Sequence, residues 1–210
     1  MVKIILLITV FFNLFLSFFV ITQDRKSWNN RFFFLLSFLA GIWTFTNYMT
    51  GVYATPFWLE STYASGSLVV STGLMWTFIL TDKFLNKKKL IFVSLSAIFF
   101  FIASFWNGFI AERYDAIYLG GAFIGKPASG LIIYTLFFLF LVILILYKLF
   151  YASRKENDLR VKSQLLYVFY GALVSLVISA LTSFILPSLS IFTLGGLDSV
   201  GFLIFLSFIA

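Results

Sequence analysis

Residues 160–187 read RVKSQLLYVFYGALVSLVISALTSFILP. Arg160, Lys162 and Gln164 crowd the front of this stretch, an almost wholly apolar run follows, and Pro187 closes it. A helix needs roughly 20 such residues, at about 1.5 Å each, to cross a hydrocarbon core of about 30 Å. Along this one Gly171, Ser175, Ser179 and Ser183 recur at every fourth position, with Ala172 and Ala180 beside them. Lipid tails are as apolar as leucine, so membrane helices associate through close backbone approach and polar contacts. The ribbon therefore predicts a spanning helix that packs closely on a neighbour and acts as a central packing element of a bundle.

The same reading extends to the rest of the chain. Of 210 residues, 61% are hydrophobic and only 11% charged, about half the charge of a soluble domain. Seven apolar runs are long enough to span: 3–22, 32–54, 62–81, 89–110, 131–151, 163–186 and 191–210. Continuous runs of this length exclude barrel strands, which alternate over about 10 residues. The expectation is an all-α, polytopic membrane protein, a single domain over 1–210 built as a bundle of seven transmembrane helices. Met1-Val2-Lys3 is a weak basic start and TQDRKSWNNR, not an A-x-A-like site, follows the first run. That helix is expected to be retained rather than cleaved as a signal peptide.

Orientation follows from the basic residues. Twelve of the 15 fall in or beside the first, third and fifth loops: Arg25, Lys26, Arg31; Lys83, Lys87, Lys88, Lys89; Lys148, Arg154, Lys155, Arg160, Lys162. Only Lys3, Arg113 and Lys126 belong to the other side. The positive-inside bias then places the N-terminus outside and the C-terminus in the cytoplasm. The net charge of +7 is thereby split among short loops facing anionic head groups. No basic face remains to track phosphates, so nucleic acid is excluded as a partner.

Chemistry-bearing residues are sparse. There is no cysteine and no histidine, which removes thiol nucleophiles, the commonest metal ligands and the commonest general base. GGAFIGKP at 120–127 nearly spells a phosphate loop, but Pro127 stands where a hydroxyl should hold magnesium; it reads as a glycine-rich turn. Glu112 and Asp115 read as a solvated end of the fourth helix beside Arg113. Glu60 and Asp198 lie near outer helix ends, as an outer polar cluster that reaches the surface or lines a cavity open to it. Asn13, Asn47 and Asn107 read as cross-helix packing groups inside helices, and the five tryptophans mostly as interfacial anchors. A retinal Schiff base is excluded because 191–210 holds no lysine. No catalytic residue, metal ligand or cofactor is expected.

Residues 163–210, SQLLYVFYGALVSLVISALTSFILPSLSIFTLGGLDSVGFLIFLSFIA, with the preceding Lys162, carry a resemblance. Lys162, Gln164, Gly171, Thr182 and Pro187 match the end of the seven-helix N-terminal region of bacterial and archaeal sensor histidine kinases. Ser183 stands where that family usually has asparagine. NNRFFFLLSFLAGIW, residues 29–43, is similar to the family's second helix through Asn30, Arg31, Phe33 and Trp43. The resemblance implies an input module in the plasma (cytoplasmic) membrane of a bacterium or archaeon. It also implies a last helix that passes a signal to a cytoplasmic kinase or cyclase domain or a partner protein, with the lipid bilayer and a second copy of the chain as further partners. Ligands of the family are not carried over. With no kinase domain before Ala210 and no phosphoacceptor histidine, the chain is not expected to be an enzyme. The alternative is a small membrane transporter or a structural membrane subunit; a transporter would place ionisable groups or broken helices near the midplane.

Overall fold

The computed structural model describes residues 2–53, 55–82, 86–119, 122–182 and 198–207, with the backbone alone over 111–127. Within them the chain order is α1 Val2–Gln23, α2 Trp28–Val52, α3 Pro56–Thr81, α4 Lys87–Ser104, β1 Ala111–Leu119, β2 Ala122–Pro127, α5 Ser129–Lys155, α6 Leu159–Ala180 and α7 Asp198–Ser207. Five helices, α1, α2, α3, α5 and α6, are long and apolar enough to cross a membrane. This is the architecture of a multi-pass membrane protein. The 18 residues of α4 open on three lysines, which leaves a shorter apolar span, and α7 covers 10 residues. Ser183, Pro187 and the first part of the 191–210 run lie outside the described residues, as do Lys83 and Gly120.

Helix ends follow the local chemistry. Pro56 opens α3, where its missing N–H costs no hydrogen bond. The Asn86 side chain accepts from the backbone N–H groups of Lys88 and Lys89, and Asp158 does the same for Arg160 and Val161. The fourth apolar run does not stay helical to residue 110. After Ser104 the chain turns through Trp106 and Asn107 to Gly108, whose φ of 77° is a left-handed conformation that glycine adopts without strain.

An antiparallel hairpin follows, a local departure within a bundle that is otherwise helical as expected. Ala111 pairs with Pro127 and Glu112 with Lys126, then the register shifts before Ile117 meets Ile124. Glu112 and Asp115 are therefore strand residues, not a helix end, and 122–127 of the glycine-rich segment is the second strand. Asn107 is exposed in the preceding turn rather than packed inside a helix. Apolarity alone carried the helix reading through to Ile110; Asn107-Gly108, a turn dipeptide, breaks it.

The helices close into a ring. α1 packs on α2, α2 on α3, α3 on α5, α5 on α6, α6 on α7, and α7 returns to α1, with α4 outside against α3. Polar contacts hold the first pair: Ser37 Oγ donates to the Asn13 carbonyl at 2.7 Å and Asn13 Nδ2 to Thr44 Oγ1 at 3.5 Å, all three residues fully buried. The most buried helix is α3, with 67% of its most apolar stretch buried against 17% in α6. The central packing element is α3 and not the ribboned sixth helix. Trp76 of α3 is likewise buried, its Nε1–H donating to Asn29 Oδ1 at 2.7 Å. Trp28 and Trp106 stay exposed.

Candidate functional site

An apolar cavity of about 100 Å³ lies inside the ring, walled by α2, α3, α5, α6 and α7. Small residues on facing helices make the space: Gly66 and Gly73 on α3, Ala172, Ser175 and Ser179 on α6. Bulky walls come from Leu36 and Trp43 of α2, from Val142 and Ile145 of α5, and from Phe202 and Phe205 of α7. α3 and α6 make little direct contact across it. Its wall offers almost no polar surface, and Thr77 Oγ1, one of its few hydroxyls, already donates to the Gly73 carbonyl at 2.8 Å. Such a space favours apolar matter over ions or polar solutes.

At one end of the cavity sits a polar layer. Tyr134 of α5 donates its hydroxyl to the Tyr63 carbonyl at 2.7 Å, and the two rings meet edge to face at 5.2 Å. A Cβ on Gly66 would stand 3.0 Å from that hydroxyl and 3.4 Å from Trp43 Nε1, so glycine is what lets these two side chains converge. Asp198, the half-buried first residue of α7, acts electrostatically on Tyr63, while its Oδ1 accepts from Ser199 N–H at 2.8 Å. Glu60 lies one turn before Tyr63 and is only 4% exposed. It is buried within the fold rather than solvated at the surface, and it is engaged there. The predicted pair thus shares one end of the bundle, Glu60 one helical turn from Tyr63 and Asp198 within electrostatic reach of it. Sequence reading did not mark Tyr63 or Tyr134: tyrosines near a helix end look like any interfacial aromatic.

The predicted packing ribbon divides between two tasks. Gly171 faces α7, where a Cβ would meet the Phe205 ring at 2.8 Å. On the other side of that contact, a Cβ on Gly201 would meet Ile178 at 3.0 Å. These two glycines let α6 and α7 lie close and antiparallel. Ser175 and Ser179 instead line the cavity, and Ser183 is outside the described residues.

The opposite, lysine-rich end is tied by a group the sequence reading passed over. Asp82, at the C-terminal cap of α3, accepts from Lys148 Nζ at 2.6 Å and from Lys89 Nζ at 3.2 Å. Both ammonium groups also stand over the Phe78 ring, at 5.3 and 5.4 Å. Burial pushes the Asp82 carboxyl up, but the hydrogen bonds and charges of the two lysines outweigh it and hold the group below its ordinary 3.8. This single carboxylate joins α3, α4 and α5.

The chain matches no known protein family, no curated protein and no solved structure.

Proposed function

We propose that the chain is a membrane-embedded sensory or input module of a prokaryotic signal-transduction protein of the histidine-kinase type, with its last helix as the output. The observation that supports this reading is the seat of α7. Phe202 and Phe205 form part of the cavity wall, while Gly171 and Gly201 hold the same helix against α6. Anything that changes the shape of the cavity therefore bears directly on the last described helix. In this reading the lysine-rich end faces the cytoplasm of a bacterium or archaeon, and α7 runs towards it. In this reading catalysis belongs to an attached kinase or cyclase domain or to a partner protein, since the chain has no histidine to accept a phosphoryl group.

The test is a fusion of Ala210 to the signalling helix of a kinase, with a ladder of inserted residues at the junction. Each residue turns a helix by about 100°. Autophosphorylation should change strongly on adding one or two residues and return near seven, close to two turns. Activity that is flat or decays smoothly along the ladder would reject the reading. A transporter is the second reading, favoured by buried Asn13 Oδ1, Asn47 Nδ2 and Ser71 Oγ, which have no hydrogen-bond partner among the described residues and offer contacts to a polar solute. Solute flux into liposomes would select it.

A further inference from the structure

The cavity has a shape as well as a volume. Along α3 its wall runs from Gly66 to Thr77, along α5 from Phe138 to Leu149, and along α6 from Val168 to Ser179. Each helix thus contributes over 11 residue steps, about 16 Å of axis at 1.5 Å per residue. About 100 Å³ is open to the centres of water-sized atoms; drawn out over that length, with an atomic radius added all round, it is a slot about one methylene chain wide. Its wall carries no charge and its hydroxyls are few, so no polar ligand would recover its desolvation cost there.

The slot is not an accident of bulky residues failing to meet. A Cβ on Gly73 would make only ordinary contacts, 3.6 Å to Ile145 and 3.8 Å to Leu36. The absence of a side chain there serves the space and not a close helix approach. An empty apolar space of this size destabilises a fold through lost dispersion contacts, and an occupant of matching shape restores them.

We infer that the slot binds a single straight hydrocarbon chain, supplied by a free fatty acid or by the tail of a bilayer lipid. The proposal deepens the sensory reading, since Phe202 and Phe205 of the output helix would touch the chain. The experiment uses the full chain in lipid nanodiscs with two photoreactive probes, dodecanoic acid bearing a diazirine in its chain and a phosphatidylcholine bearing one in its tail. Adducts are mapped by peptide mass spectrometry. At least one probe should mark slot residues such as Val142 and Leu176, and which one does so identifies the source. Ala172→Phe, which fills the bore, should lower those adducts about tenfold or more. Adducts on Phe99 and Ile102, exposed on the outer face of α4, should not change. Ser179→Leu, which narrows one end, serves the same purpose if Ala172→Phe does not fold. Labelling of lipid-facing residues alone, by both probes in the unaltered chain, would overturn the proposal, as would slot adducts insensitive to the filling variants. Slot adducts with a flat fusion ladder would reject the sensory role and keep the site; a periodic ladder without slot adducts would do the reverse.

Discussion

Helices α3 and α6 are both apolar, both long enough to span, and both rich in small residues, yet one is the centre of the molecule and the other its edge. On α6 the small residues form one stripe, Gly171, Ser175 and Ser179, and the stripe meets α7 and the cavity. Its other face, with Tyr167, Tyr170, Val174 and Val177, is exposed. On α3 the small residues follow no stripe. Ser61, Ala64, Ser65, Ser67, Ser71 and Thr72 are all buried, and the helix touches α2, α4 and α5. In a membrane, the number of faces carrying small residues reports the number of neighbours. A regular stripe catches the eye but marks a helix with fewer of them.

The largest effect should come from filling a face of α3. Ala64 is fully buried, and Ala64→Leu has no lipid to expand into, so it should cost about 3 kcal/mol, the upper end for overpacking a core. Thermal unfolding in lipid or mild detergent measures it. A loss no larger than that of an α6 variant would deny α3 its central place. Next in size is Gly171→Leu on α6. Its side chain meets the Phe205 ring, which sits on a short helix and can shift, so about 2 kcal/mol is expected. If α7 were not seated there, this variant would unfold with the unaltered chain.

A smaller effect separates the two helices at their lysine-rich ends. α3 is tied there through Asp82 to Lys89 and Lys148, a partly exposed pair of ion pairs worth about 1 kcal/mol after screening. Asp82→Asn should remove that amount at neutral pH and less at high salt. The carboxyl titrates below its ordinary 3.8 in the folded state, so its contribution is fully present above 3.8 and fades as pH falls through the folded value. The stability difference between Asp82→Asn and the unaltered chain should therefore close in acid. A difference that persists unchanged at the lowest pH would mean the ion pairs do not form.

Much of this was legible from residues alone, for physical reasons that differ by element. The spans of α1, α2, α3, α5 and α6 follow from run length, because the bilayer fixes how many apolar residues are needed. The hairpin did not follow. Hydropathy registers Phe105 to Ile110 as more of the same, whereas the decisive features are the Asn107-Gly108 break and the Tyr- and Ile-bearing stretch ahead of Gly120-Gly121. Burial of Glu60 was hidden because depth in a bundle depends on which helices surround α3. The cavity was hidden for the same reason: Gly66 and Gly73 lie on one helix and Ala172 and Ser175 on another, and only folding sets them opposite each other.

The smallest effect is the sharpest test of what a stripe means. If Ser179 were a close-packing position like Gly171, Ser179→Leu would cost as much as Gly171→Leu. The structure places Ser179 on the cavity wall, where a leucine side chain finds apolar space and its methyl groups gain contacts while the hydroxyl gives up little. Val177, two residues away, is 51% exposed, and Val177→Leu only exchanges one lipid-facing aliphatic for another. Both should change unfolding stability by less than about 0.5 kcal/mol, the range of substitutions outside packed features. They should differ in another respect: only Ser179→Leu narrows the slot, so only it should reduce photoadducts on Leu176. A large loss of stability for Ser179→Leu alone would mean that the stripe packs along its whole length and that the slot closes in the membrane.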